Sequence, residues 1–214
     1  MNRIVLATRN RGKIVELERI LGDLGAAMAG LEVAGLEAFP DAPDVPETEP
    51  TFEGNALLKA RAIAAHTGLP AVADDSGLCV DALNGMPGVL SARWSGRFGD
   101  AAASGKDRAN LDLVLDQLAD VADELRGGHF VCAAALVVPG GAEHVVEGRM
   151  HGRIIRAPRG SGGFGYDPVF VPDDDTRTTA ELAPDEKDAI SHRGRAFRAL
   201  AELLPDALAT ARTR

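Results

Sequence analysis

The sequence predicts an α/β fold built on a mixed, partly antiparallel sheet. Strand-like and helix-like periods alternate through the first 120 or so residues, a glycine-turned hairpin fills the middle, and a helical period closes the chain. At 214 residues, the length fits one domain, with room for two lobes.

Arg3 to Ala7 is a short apolar run that reads as a buried strand, and Thr8 to Gly12 as a loop. From Lys13, apolar residues at Ile14, Leu17, Leu21 and Leu24 recur at helical spacing. Met28 to Leu36 reads as a second strand, and the proline- and acid-rich stretch from Glu37 to Pro50 as a loop. Thr51 to Thr67 places Phe52, Ala56, Ala60, Ile63 and Ala64 on one side and stops at Gly68-Leu69-Pro70, which predicts a helix. Ala71 to Ala73 and Leu78 to Leu83 read as strand pieces on either side of Asp74-Asp75-Ser76-Gly77. Turn residues fill Asn84 to Gly88, and a helix is expected over Ala109 to Leu118. His129 to Val138 and Glu143 to His151 flank Pro139-Gly140-Gly141 as a hairpin. A last helix spans roughly Ser191 to Leu204.

Aromatic residues make up only 4% of the chain, so the core must be aliphatic. A net charge of -9 argues against a nucleic acid polymer as partner. No apolar stretch reaches the length of a membrane span, and the N-terminal apolar run is too short for a signal peptide. Cys79 and Cys132 are far apart and form no C-x-x-C pair, so zinc and redox roles are disfavoured. A cytoplasmic, reduced protein is expected. Lysine is scarce: only Lys13, Lys59, Lys106 and Lys187, and three of these fall within motif candidates.

Thr8-Arg9-Asn10-Arg11-Gly12-Lys13 joins a strand to a helix, where unpaired amides favour anions. A Walker A loop is excluded, because Ala7 and Ile14 stand where glycine and Ser or Thr are needed. Asn55 and Lys59, four apart on one helix, can face the same site, with Glu47 in the loop before them. At the acidic junction, strand alternation points Asp74 and Asp75 to opposite sides, giving one a reacting role and the other a structural one. An Asx-type turn is the structural alternative there. Gly160 to Pro168 holds four glycines and sets Phe164 and Tyr166 two apart, on one side of an extended backbone, where a flat base could stack. The alternative is two rings tucked into the core. Lys187 and Ser191-His192-Arg193-Gly194 could supply donors near the last helix.

Taken together, these segments resemble the inosine triphosphate pyrophosphatase family, hydrolases that clear deaminated purine nucleoside triphosphates. The matching stretches are Ala7 to Lys13, Phe52 to Ala60, Ala73 to Leu78, Pro87 to Gly96, Gly162 to Pro168 and Ala189 to Gly194, in family order. Two positions depart from the pattern: Gly54, where relatives often carry an acid, and Trp94, where a smaller aromatic is common.

The resemblance implies an elongated mixed sheet with flanking helices, a single domain over residues 1–214 with two lobes around a central cleft, and a homodimer. It implies Mg²⁺-dependent cleavage of ITP, dITP or XTP to the monophosphate and pyrophosphate. Asp75 is then the proton acceptor and a metal residue, Glu47 the second metal carboxylate, and Lys59 a catalytic cation. Thr8, Arg9, Asn10, Arg11, Gly12, Lys13 and Ser76 are expected on the triphosphate. Phe164, Gly165, Tyr166, Asp167, Lys187, His192 and Arg193 are expected on the nucleoside end and its phosphates. A pyrophosphatase for modified pyrimidine nucleotides and a non-catalytic nucleotide-binding regulator are the competing expectations.

Overall fold

The computed structural model describes residues 2–23 and 31–210. Leu24 and the 28–30 part of the expected second strand lie outside them, as do the side chains of Arg11 and Leu21. The described elements are β1 (Asn2–Leu6), α1 (Arg11–Asp23), β2 (Leu31–Gly35), α2 (Phe52–Thr67), β3 (Ala71–Val80), α3 (Gly96–Asp100), α4 (Lys106–Gln117), β4 (Gly127–Val137), β5 (Glu143–Ile154), β6 (Phe170–Pro172), α5 (Pro184–Ile190) and α6 (His192–Thr210). The six strands form one sheet in the order β2-β1-β3-β4-β5-β6. β1 runs parallel to both β2 and β3, while β6 is antiparallel to β5. The sheet is therefore mixed, as expected.

Two compact units divide the chain. The first comprises residues 1–75, 132–148 and 192–214, the second residues 76–131 and 149–191. In the first unit, alternate strand residues feed two separate cores. Ile4, Leu6, Val72, Cys132, Ala134 and Leu136 pack with Leu17 and Ile20 of α1 and with Phe197, Leu200 and Leu204 of α6. Their neighbours Val5, Ala71, Ala73, Ala133 and Ala135 pack with Ala56, Ala60, Ile63 and Ala64 of α2. Alanine meets alanine on this second face, so α2 can lie close to the strands. Thr51 caps α2 by accepting from the Gly54 N–H at 3.0 Å, and Gly68 ends it in the left-handed region.

In the second unit, Leu78, Val80, Phe130, Met150, Ile154 and Phe170 of the strands pack with Leu111, Val114 and Leu118 of α4. The buried Arg126 guanidinium stitches this unit by donating to the carbonyls of Leu118, Ile154 and Ile155. Among the described residues, no helix is long and apolar enough to cross a membrane.

One expected boundary is overturned. The acidic junction does not end a strand, because β3 runs unbroken from Ala71 to Val80 through Asp74-Asp75-Ser76-Gly77. Asp, Ser and Gly disfavour strands locally, but tertiary partners for the two carboxylates outweigh that preference. Residues 81–83, expected in a strand, form a 3-10 turn. Helix α1 starts at Arg11 and α4 at Lys106, each earlier than the apolar period alone indicates. The short elements α3, α5 and β6 have no counterpart in the expected set.

Candidate active site

In the first unit the candidate residues gather around the two acids of β3. Their side chains leave opposite faces of the strand, as alternation requires. Asp74 points to the α1 and α6 side. Its Oδ2 accepts from Lys13 Nζ at 2.8 Å and lies 3.6 Å from Arg193 Nε. Arg193 in turn donates to Glu16, one turn beyond Lys13 on α1. All of Asp74, Glu16 and Arg193 are buried.

Asp75 points to the α2 side. Asn55 Nδ2 donates to its Oδ2 at 3.0 Å, and Lys59 Nζ to its Oδ1 at 3.3 Å. Lys59 also donates to Glu47 Oε1 at 3.1 Å, so one ammonium stands between two carboxylates. Asn55 Oδ1 accepts the Glu49 N–H at 2.9 Å, which fastens the loop carrying Glu47 to α2. A Cβ at Gly54 would lie 2.7 Å from Glu49 Cβ, so the missing side chain lets this loop sit close.

These surroundings drive the two acids apart. Burial alone would raise Asp74, yet the charges of Lys13 and Arg193 hold its carboxyl well below the usual range. For Asp75 burial prevails, helped by the Glu47 charge and opposed by Lys59, and the carboxyl is pushed up to about 6. Asp75 is thus a weak acid poised to take a proton near neutrality, beside a partner that stays ionised. Lys59 is raised: burial works against its charge, but Asp75, Asp74 and Glu47 together outweigh it.

The turn before α1 is built by its own side chains. Asn10 Oδ1 caps the helix by accepting the Lys13 N–H at 3.1 Å, and Thr8 Oγ1 accepts the Asn10 N–H at 3.3 Å. Arg11 and Gly12 therefore sit in the first helical turn, where amides point outward to an anion. Arg9 instead reaches sideways, donating to the Ala42 carbonyl at 2.8 Å and lying 3.6 Å from Asp44. His192 is buried at the start of α6. Gly148 makes that possible: a Cβ there would lie 2.6 Å from the Ala196 nitrogen.

The second unit holds Ser76, half-buried in β3, and the glycine-rich loop. Asp167 organises the loop. Its Oδ2 accepts from the Phe164 N–H at 2.8 Å and from Lys187 Nζ at 2.7 Å, while Thr179 Oγ1 donates to Oδ1 at 2.8 Å. Lys187 Nζ also lies 5.3 Å from the centre of the Phe164 ring. The expected pairing of two rings on one side is corrected here. Gly165 takes a φ of +62°, so the backbone is not extended and alternation fails. Tyr166 joins the core, its hydroxyl donating to the Ser91 carbonyl at 2.8 Å. Phe164 remains half-buried.

Three contributors escaped the sequence. Glu16 reads there as an ordinary helix-surface acid. Asp107 accepts the Gly165 N–H at 3.3 Å from a helix too distant in sequence to suggest it. Thr179 lies in a stretch with no periodic signal. The i+3 spacing of Lys13 and Glu16 is the one clue that was available.

Among the described residues, no group of three or more His, Cys, Asp or Glu side chains is placed to hold a metal ion. Glu47 and Asp75, two hard-oxygen donors sharing one ammonium, are the pair that could hold part of a shell. Such a pair suits a cation that takes its remaining ligands from water and phosphate oxygens.

Comparison with known proteins gives a consistent picture. A sequence profile described as the Ham1 family matches residues 4–203. The dITP/XTP pyrophosphatase of Streptomyces coelicolor is 59% identical over 208 residues, covering 97% of this chain and 100% of that one. A crystal structure of a nucleoside-triphosphatase / dITP/XTP pyrophosphatase from Mycobacterium abscessus aligns at TM-score 0.73 and 57% identity, covering 92% of this chain and 98% of that chain. A HAM1 protein from Coxiella burnetii aligns at TM-score 0.83 and 42% identity, covering 97% and 100%.

Proposed function

The chain belongs to the Ham1 family, and from that membership and the divided acid pair we propose that it hydrolyses deaminated purine nucleoside triphosphates. The substrates are ITP, dITP and XTP, and the products the nucleoside monophosphate and pyrophosphate. The name of the Streptomyces coelicolor relative, dITP/XTP pyrophosphatase, supports this substrate class. The observation that carries the reading is Asp75, buried, pushed up to about 6 and gripped by Lys59 and Asn55.

Asp75 accepts the proton of a water whose oxygen attacks the α-phosphorus. The bond from that phosphorus to the bridging oxygen breaks, and pyrophosphate leaves with the bonding pair. Lys13, Lys59 and the first-turn amides of α1 offset the charge that gathers on the leaving group. Asp74 stays ionised, holds Lys13 in place and binds no substrate. Glu47 and Asp75 would hold Mg²⁺, with waters and phosphate oxygens completing its shell. When bound, Mg²⁺ supplies positive charge to the phosphates and lowers the pKa of water.

For the base, Phe164 offers a ring face, and Asp167 and Lys187 fix the loop that presents it. Donors aimed at a 6-oxo group accept hypoxanthine and xanthine but meet the amino group of adenine wrongly. We take the enzyme to work on free nucleotides in the cytoplasm, as a homodimer. Pyrophosphate release should be measured from ITP, dITP, XTP, GTP, ATP and a modified pyrimidine triphosphate, with Mg²⁺. Turnover of the first three well above the rest is expected. Comparable rates across the panel would refute the base selectivity, and nucleotide binding without any turnover would refute catalysis.

A further inference from the structure

In the second unit one face of the β4–β5 ladder is partly open to solvent, around the exposed residues of β5. Phe130, Met150 and Ile154 point into the core, while Arg149, His151 and Arg153 alternate with the latter two on the exposed face of β5. His129 of β4 stands on that open face beside His151, their ring centres 5.2 Å apart and planes 30° from parallel.

The register explains why the two rings meet. The Val138 N–H bonds the Ala142 carbonyl at one end of the β4–β5 ladder, and the Ile154 N–H bonds the Arg126 carbonyl at the other. Both pairs add to the same register, so no bulge intervenes, and even-numbered pairs are the hydrogen-bonded ones. His129 and His151 therefore face each other at a non-hydrogen-bonded pair, where Cα atoms approach to ~4.5 Å and side chains are closest.

We propose that His129 and His151 form a two-imidazole site for a borderline transition cation of the Zn²⁺ or Ni²⁺ class. Imidazole nitrogen selects such ions, whereas Mg²⁺ takes oxygen ligands, so this site and the Glu47–Asp75 pair sort cations differently. Two imidazoles on one tetrahedral ion, at metal–nitrogen distances of ~2.0–2.1 Å, hold their ring centres ~5 Å apart. That spacing is already present, and turning the broad χ2 torsions aims both nitrogens at one point. His151 is exposed and His129 half-buried, so water can complete the shell.

The Asp173 N–H bonds the His151 carbonyl at 3.2 Å, which places the backbone of Asp173, in the turn that follows β6, beside His151. Strands are spaced ~4.8 Å apart, so Asp173 is ~10 Å from His129 and cannot share an ion with it. Arg149 and Arg153, two residues away from His151 on either side, weaken the site by repulsion and keep its affinity moderate. A bound ion clips β4 to β5 in this unit.

The test is calorimetric titration of Ni²⁺ into the full-length protein with Mg²⁺ in excess. One Ni²⁺ per chain is expected, with affinity at least tenfold lower in His129→Gln and in His151→Gln and lost in the double variant. His66→Gln and His144→Gln should bind as wild type. Both substituted positions are solvent-accessible and polar, and retained pyrophosphatase activity reports the intact fold. Cu²⁺ electron paramagnetic resonance should show two nitrogen ligands in the wild type and one in each single variant. Absence of saturable Ni²⁺ binding, or its survival in the double variant, overturns the proposal.

Discussion

Replacing Asp75 by Asn should make the protein more stable while removing its turnover. The carboxyl keeps its proton up to about pH 6 in the folded chain, against an ordinary value of 3.8. Below pH 3.8 both folded and unfolded chains hold the proton, and the group contributes nothing to pH dependence. Between 3.8 and 6 the folded chain alone holds it, so stability falls as pH rises. Above pH 6 the charged form is fully present and costs about 3 kcal/mol, at ~1.4 kcal/mol per pH unit. Asparagine removes that charge but leaves one donor, Asn55 Nδ2 or Lys59 Nζ, without its acceptor, which costs about 1 kcal/mol. The net gain is about 2 kcal/mol, or roughly 4–8 °C in Tm for a chain of this size. Thermal unfolding in EDTA at pH 7.5 and pH 4.0, with wild type and Asp75→Asn side by side, reads the effect. The gap should be open at pH 7.5 and nearly closed at pH 4.0, and ITP hydrolysis by the variant should fall by a factor of roughly 10²–10⁴. A variant less stable than wild type at pH 7.5, or a gap that does not change with pH, would refute the electrostatic argument. Turnover within tenfold of wild type would place the base elsewhere.

Two further predictions concern the second unit. Lys187→Ala strands the buried Asp167 carboxylate and should cost roughly 3–5 kcal/mol by urea unfolding, whereas a Lys187→Met/Asp167→Asn double variant should recover much of that stability without recovering KM for ITP. Arg126→Leu leaves two buried carbonyls and one partly buried carbonyl without their donor and should cost about 3 kcal/mol in the same assay, with kcat and KM unchanged in the folded fraction because the Arg126 guanidinium bonds to backbone far in sequence from the acid pair.

What could be read from the sequence was mostly local in origin. Helix α2 announces itself by Thr51, Gly68 and an alanine-rich face, and the β4–β5 hairpin by Pro139-Gly140-Gly141. The opposite headings of Asp74 and Asp75 follow from strand alternation alone. Lys59 and Asn55 reach Asp75 because four residues along a helix return to the same side. The continuity of β3 through the acidic junction was hidden, because it rests on Lys13 and Lys59, which come from helices 61 and 16 residues away in sequence. The burial of Tyr166 was hidden for a different reason. A glycine at positive φ broke the alternation on which the two-ring reading depended.

The contrast between the two units explains why the acid pair stands where it does. In the first unit, helices cover the strands on both faces, so consecutive residues of β3 meet different helices. Asp74 is paired directly from α1 and α6 and Asp75 from α2, while Lys59 and Lys13 each act on the other carboxylate only through charge at longer range. Two adjacent acids can then hold different charge states at one pH, which a single shared environment would not allow. In the second unit part of the face opposite α4 meets solvent, with His151 exposed and His129 half-buried there. An acid pair moved along β3 to Cys79 and Val80 would still be buried on both faces, but it would leave behind the Lys13, Arg193 and Lys59 cations that set the two charge states. The chemistry is therefore tied to the part of the strand that these cations reach from its two faces.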